Sequence, residues 1–163
     1  MSIAGGALPI RGKRLSRMGV AIKAGRVDRE ISLHALKKTA RRILAILDCA
    51  DCELSLSLVG NQEIQKLNAR YRHKNEPTDV LSFPLDGPFP AGVQLLGDVV
   101  IAVERAKEQA RERKKTLSQE MESLLVHGVL HLLGYDHERS KKEARIMRGL
   151  ERKIARSLVT VAR

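Results

Sequence analysis

The 163-residue sequence predicts an α+β domain, a small mixed sheet packed with helices around an apolar central helix that carries three histidines. Two observations lead there. Segments with the two-residue period of strands and the 3.6-residue period of helices follow one another in mixed order. One segment, bearing Met121, Leu124, Leu125, Val126, Val129, Leu130, Leu132 and Leu133, is apolar nearly all round and so belongs inside the molecule. There is no internal repeat, and the length suits one domain with a real core.

The elements follow in order. Val20 to Lys23 is a short first strand. From Ser32 to Leu47, the residues Leu33, Leu36, Ala40, Ile43, Leu44 and Leu47 recur at helical spacing with Lys37, Lys38, Arg41 and Arg42 opposite, which makes an amphipathic helix. Glu53 to Val59 alternates as a half-buried strand does, with Leu54, Leu56 and Leu58 against Ser55 and Ser57. Asn61 is placed to cap a short helix running toward Asn68. His73 to Pro77 is a polar loop, which puts Arg72 at a loop edge, and a strand follows through Val80, Leu81 and Phe83. Pro84, Gly87, Pro88, Pro90 and Gly92 break the chain before a strand from Leu95 to Ala102. Helical sequence runs from Val103 to about Lys115. Thr116 with Gln119, and Ser140 with Glu143, have capping-box spacing at the starts of the last two helices. The final helix buries Met147, Leu150, Ile154 and Leu158.

Lys and Arg outnumber Asp and Glu by 30 to 19, a net charge of +11. The surplus is uneven: residues 1–27 carry six basic and no acidic side chains, residues 28–102 are near neutral, and residues 103–163 carry fifteen basic against nine acidic. A polyanionic partner, held in a salt-dependent way, suits that distribution better than solvated helix faces alone. With Tyr71, Tyr135, Phe83 and Phe89 the only aromatics, stacking platforms are few, so a nucleic acid would be gripped by backbone and shape. Either tyrosine could stack on one nucleotide, although bridging core and surface is the commoner role.

No apolar run is long enough for a membrane span, and no membrane partner is expected. Residues 1–17 lack the apolar core of a secretory signal and are expected to form a disordered basic arm ahead of a catalytic domain at 18–163, with Met18 an alternative start. Cys49 and Cys52 form a C-x-x-C without a second pair, so a redox or zinc role is disfavoured; two free thiols suit a reducing, cytoplasmic setting.

The chemistry concentrates in His127-Gly128-Val129-Leu130-His131-Leu132-Leu133-Gly134-Tyr135-Asp136-His137. His127 and His131 share one helix face a turn apart. Gly134 tolerates the left-handed backbone that ends a helix, so the chain can reverse and return His137 as a third ligand. Three neutral imidazoles fit one zinc ion with its fourth position left for water. The spacing matches the H-E-x-x-H-x-x-G-x-x-H pattern of zinc proteases except at its glutamate, where this chain has Gly128. A peptidase would lack its base. Zinc still lowers the pKa of its water to about 7, which suits phosphodiester hydrolysis assisted by arginine.

The string HGVLHLLGYDH closely resembles the signature of the YbeY family of bacterial and organellar endoribonucleases. Leu67-Asn68-Ala69-Arg70-Tyr71-Arg72 with Pro77 to Pro84, and Leu96-Gly97-Asp98-Val99-Val100-Ile101, resemble its other two blocks, in the right order from about Val20 to Leu158. The resemblance implies a metal-dependent endoribonuclease, directed at single strands, that matures ribosomal RNA, especially the 3′ end of the small-subunit (16S) RNA, and serves ribosome quality control. Its partners would be ribosomal RNA and the small subunit or its assembly proteins. It also implies zinc held by His127, His131 and His137, and places the family's functionally important arginine on Arg72.

The expected chemistry has Arg72 as the catalytic residue that steadies the phosphoryl oxygens, with Arg70 and Lys74 holding flanking phosphates as substrate-binding residues. Candidates for the proton donor are Asp136, Glu138, Asp79, His73 and metal-bound water. Asp136 is alternatively a residue that orients a ligand histidine. Met147 either lies under the metal, as in Met-turn proteases, or packs in the core, the latter being favoured by its helical spacing. Two competing classes are a zinc peptidase and an RNA-binding ribosome-assembly factor with a structural metal.

Overall fold

The structure is a computed structural model that describes residues 19–25, 28–85 and 94–161. The expected arm at 1–17, Met18, Phe89 and the breakers Gly87, Pro88, Pro90 and Gly92 lie outside the described residues. In chain order the elements are β1 (Val20–Ala24), α1 (Leu33–Ile46), β2 (Cys52–Val59), α2 (Asn61–Arg72), β3 (Val80–Pro84), β4 (Gln94–Ala102), α3 (Val103–Glu112), α4 (Leu117–Leu132) and α5 (Lys141–Val161). The four strands form one sheet in the order β1-β2-β4-β3. The first three are mutually parallel and β3 runs antiparallel on β4, so the sheet is mixed. The α+β expectation is met.

Alternation along the strands divides the core in two. Leu54, Leu56, Leu58, Val99 and Ile101 point to the larger cluster, which also takes residues of α1, α3, α4 and α5. Leu81, Phe83, Val100 and Ala102 point the other way, to a smaller cluster closed by Ile64, Leu67 and Tyr71 of α2. The residues of α1 that the apolar stripe predicts are inside, with Leu36, Ala40, Ile43 and Leu44 buried. Its cap is Ser32, whose hydroxyl accepts from the Ala35 N–H at 3.2 Å. At the far end of the fold Arg42 Nη2 donates to the Leu158 carbonyl at 2.7 Å, satisfying one of the last carbonyls of α5.

The apolar helix α4 is central because it has no polar face to give to water. It lies against β3 and β4 on one side and meets α1, α3 and α5 on the others. Thr116 and Gln119 form the reciprocal capping box that the spacing predicts. At α5 the Ser140 hydroxyl accepts from the Glu143 N–H at 3.1 Å.

Two expectations need correction at α2. Asn61 is the first helical residue, not the cap; Gly60 takes that position in an extended conformation with no side-chain hydrogen bond. The helix also continues past Asn68 to Arg72, because Ile64, Leu67 and Tyr71 keep its apolar stripe seated on the sheet. Asn68 stays helical and fully buried, its Nδ2 donating to the Glu76 carbonyl at 2.8 Å and so pinning the following loop. The helix stops at His73, which adopts the left-handed conformation at φ 57°. Arg72 is therefore the last residue of a helix. Likewise α3 ends at Glu112, earlier than Lys115, with Lys114 turned to φ 55°.

Candidate metal centre

The end of α4 is a complete Schellman motif, and that motif builds the site. Gly134 sits at φ 93°, its N–H donating to the His131 carbonyl at 3.0 Å, while the Tyr135 N–H reaches the Leu130 carbonyl at 3.1 Å. The chain leaves the helix axis there and turns again at Asp136, whose Oδ1 accepts from the Glu138 N–H at 2.9 Å. Between those two turns His137 is carried back over the face of α4 that holds His127 and His131.

The three rings make a nearly equilateral triangle, with centroids 4.7, 5.2 and 5.3 Å apart. One nitrogen from each lies within 4.8 Å of the others. Nε2 of His127 and Nε2 of His131 are 3.1 Å apart, close to the edge of about 3.3 Å that a tetrahedron with bonds of ~2.0–2.1 Å would have. His131 is fully buried, and burial above all, with its two neighbouring imidazoles among the lesser causes, pushes its pKa down to about 3. A buried imidazole held neutral offers a lone pair without first shedding a proton. The Nδ1 atoms of both His131 and His137 are buried without a hydrogen-bond partner among the described residues. The residues thus fit a metal ion: an all-nitrogen donor set, converging, with at least one member kept in its ligating form.

A residue that sequence reasoning missed completes the cluster. Glu151 of α5 accepts from Nδ1 of His127 through Oε1 at 2.6 Å. A carboxylate can only accept, so Nδ1 carries the proton and the lone pair is on Nε2, the atom that faces His131. The signal available in the sequence was slight: Glu151 borders the apolar stripe of the last helix, four residues after the buried Met147.

Arg72 is drawn toward this centre, its Nη2 3.9 Å from Oε2 of Glu138, the residue next to His137, with the arginine side chain only 12% exposed. Arg70 is exposed and lies along its neighbour, its guanidinium carbon 5.3 Å from the Tyr71 ring centre. Lys74 is exposed just past the end of α2, and His73, also exposed, serves as the helix stop. Among the described residues, no hydrogen bond or ion pair joins Arg70 or Lys74 to the three histidines. Tyr71 packs edge-on against Phe83, which is the bridging role between core and surface.

Among the proton-donor candidates, Asp136 is the weakest. The Glu138 N–H, then the charges around it, hold its carboxyl below the ordinary aspartate value, and Arg139 lies 3.6 Å away. Among the described residues, the carboxylate hydrogen-bonded to one of the three histidines is that of Glu151, and Asp136 bonds the Glu138 N–H instead. Asp79 spends its oxygens on the Val80 N–H at 2.8 Å and on Gln109 Nε2 at 3.1 Å. Met147 is buried in the larger core cluster with α4, as ordinary packing requires. Cys52 is buried, its thiol pushed up to about 11 by burial and then by Cys49, so it stays protonated at neutral pH.

Gly128 explains why the protease glutamate is absent. A Cβ built there would lie 2.7 Å from Cγ1 of Val99 and 3.3 Å from the Ser82 hydroxyl, which itself donates to the Gly128 carbonyl at 2.8 Å. The position is pressed into β3 and β4, where a glutamate has no room.

A mixed four-stranded sheet with a trihistidine centre at the end of its buried helix defines an α+β protein built around a site that could hold a metal ion. The family model described as Endoribonuclease YbeY matches residues 21–159, and the chain belongs to that family. Similar relatives include the Endoribonuclease YbeY of a Sulfurihydrogenibium species, 46% identical over 78% of this chain and 84% of that one, and that of Aquifex aeolicus, 43% identical over 80% and 86%. The solution structure of TM1509 from Thermotoga maritima superposes with a TM-score of 0.56 at 28% identity, covering 86% of this chain and 92% of that one.

Proposed function

We propose that this chain is a zinc-dependent endoribonuclease that cuts single-stranded RNA. Its substrate in this reading is ribosomal RNA, with the 3′ end of the small-subunit RNA the principal target. Ribosome quality control is its wider setting, the small subunit or its assembly proteins are its partners, and the cytoplasm is its place of action. Residues 18–163 act as one catalytic domain behind a basic arm at 1–17. The convergence of three imidazole nitrogens within 4.8 Å, in a chain of this family, is the observation that carries the reading.

His127, His131 and His137 would hold the ion, and imidazole nitrogen is a donor zinc favours. When bound, zinc supplies Lewis acidity and a hydrolytic nucleophile near neutral pH. The residues of this chain supply the rest. Glu151 fixes the tautomer of His127. Arg72, held beside the turn that follows His137, presents a fixed positive charge to the phosphoryl oxygens, where a guanidinium offsets the charge that develops as the phosphodiester breaks. Arg70 and Lys74, both exposed, hold flanking phosphates. Gly128 supplies no carboxylate at the position where the zinc-protease pattern carries its base, which favours RNA over protein as the substrate.

Cleavage of a single-stranded RNA by purified wild type, His131→Ala and Arg72→Ala, with bound metal quantified in each, tests this. The expected pattern is that wild type cuts, His131→Ala loses both metal and activity, and Arg72→Ala keeps metal but loses most activity. Equal residual cutting by all three would mark a contaminant and leave an RNA-binding assembly factor with a structural metal.

A further inference from the structure

A groove between α4 and α5 opens beside His127, a cleft of about 500 Å³ whose walls include Arg113, Lys115, Arg148 and Arg152. Its construction follows from helix geometry. On α5, Arg148, Glu151, Arg152 and Ala155 recur at i, i+3, i+4 and i+7, so they form one stripe. On α4, Ser123, Val126 and His127 form the facing stripe. The corner between α3 and α4 closes one end with Arg113 and Lys115.

Three carboxylates line this groove, and two are committed elsewhere, while the third, Glu122, is half-buried, and burial pushes its carboxyl above the ordinary glutamate value. Glu151 holds His127, and Asp79 is bonded to the Val80 N–H and to Gln109. Arg113 is paired with the buried Glu120 at 2.5 Å. Lys115, Arg148 and Arg152 are different: all three are exposed and none forms an ion pair among the described residues. Three cations without an ion pair therefore border a groove that reaches His127, and they outnumber Glu122, its one carboxylate not committed elsewhere. Arg72 does not line this groove; it approaches the site from the turn after His137.

We infer that this groove is a phosphate-backbone subsite, in which Arg148 and Arg152, with Lys115 at the corner, hold the strand of a single-stranded RNA on the His127 side of the metal centre. The inference rests on the endoribonuclease reading and adds to it the path of the substrate on the side away from Arg72. Arg148 and Arg152 stand one helical turn apart, with about 5–6 Å between their Cβ atoms, so each can take its own phosphate. Leu124, Val126 and Ala155 give the groove an apolar component on which a sugar can lie. Its lining holds no Phe, Tyr or Trp on which a base could stack, so backbone contacts dominate binding there.

The test is binding of a fluorescein-labelled single-stranded RNA to the metal-loaded full chain, by anisotropy across a salt series. Compared with wild type are Arg148→Ala/Arg152→Ala and a matched control, Lys142→Ala/Lys153→Ala, which removes the same charge from the same helix outside the groove. Loss of two phosphate contacts lowers the slope of log K against log salt by roughly 1.4, at ~0.7 per contact for a single strand. Affinity falls roughly tenfold, the usual yield of two exposed ionic contacts. The control shifts neither by more than a small fraction of that.

Unchanged slope and affinity in the arginine variant, in a protein that still binds and cuts RNA, overturns the subsite and leaves the nuclease reading standing. Equal losses in both variants overturn it too, by showing a general charge effect. A wild type that neither binds nor cuts RNA overturns both readings. Displacement of the RNA by a polyglutamate peptide at equal concentration reassigns the groove to an acidic protein partner and overturns the RNA subsite.

Discussion

Replacing Glu151 separates a residue that orients a metal ligand from one that merely neighbours it. In Glu151→Ala the 2.6 Å contact to Nδ1 of His127 is lost, the imidazole is free to rotate, and its two tautomers become comparable, so half or more of the molecules present a proton where a lone pair is needed. Outer hydrogen-bond partners of ligand histidines are worth about 10–100-fold in metal affinity, or ~1.4–2.7 kcal/mol. The structure places this pair in the lower part of that range, because the two side chains are 26% and 31% exposed and water can replace part of what the carboxylate does. The expected loss is about ten- to thirtyfold. Glu151→Gln keeps an oxygen acceptor without the charge and recovers part of it. The assay is titration of metal-stripped protein with zinc against a fluorescent chelator of known affinity, with thermal melting of the metal-free variants as the control on folding. A Glu151→Ala protein that folds and holds zinc as tightly as wild type would refute the reasoning. Equal losses in the alanine and glutamine variants would refute the orienting part of it and leave only a charge effect.

Two further outcomes follow from the packing and protonation of α4. Gly128→Ala is expected to destabilise by up to ~2 kcal/mol, since overpacking against the buried Val99 costs about 1–3 kcal/mol and the gain in helix propensity returns about 1; a urea midpoint equal to or above that of wild type would show that β4 yields freely. For the metal-free chain, His131 titrates near 3 when folded and near 6.5 when unfolded, so the unfolded state takes up the proton first. Its contribution is complete above pH 6.5 and is lost as pH falls toward 3, at up to about 1.4 kcal/mol per pH unit. Denaturation midpoints measured from pH 7 to 4 should fall more steeply for wild type than for His131→Asn, and parallel curves would contradict the burial argument.

What the sequence determined by itself was everything local. Spacing of apolar residues placed α1, β2 and β4 within a residue or two of their positions, because a helix or strand must put its apolar groups on one side wherever it goes. The capping box at Thr116 and the stop at Gly134 were equally legible, since both satisfy backbone groups within a few residues. The triangle of histidines was visible for the same reason: His127 to His137 is one turn of helix, one left-handed residue and a tight turn. The extent of α2 was misjudged because its end is decided by Tyr71 packing on Phe83 and by Asn68 reaching Glu76, contacts that a window on the helix does not contain.

Only the tertiary structure decided what surrounds the histidines. Glu151 reaches His127 across 24 residues of sequence, and the Ser82 hydroxyl reaches the carbonyl of Gly128 across 46. Arg72 is brought to Glu138 from the opposite side of the molecule's sequence, at the end of a helix that packs on the other face of the sheet. These pairings depend on how α2, α4 and α5 dock against the sheet, and docking is set by the summed fit of many apolar side chains, none of which names its partner in the sequence. The same docking brings Arg148 and Arg152 beside the site, turning what reads along the chain as an ordinary basic helix face into one wall of a groove.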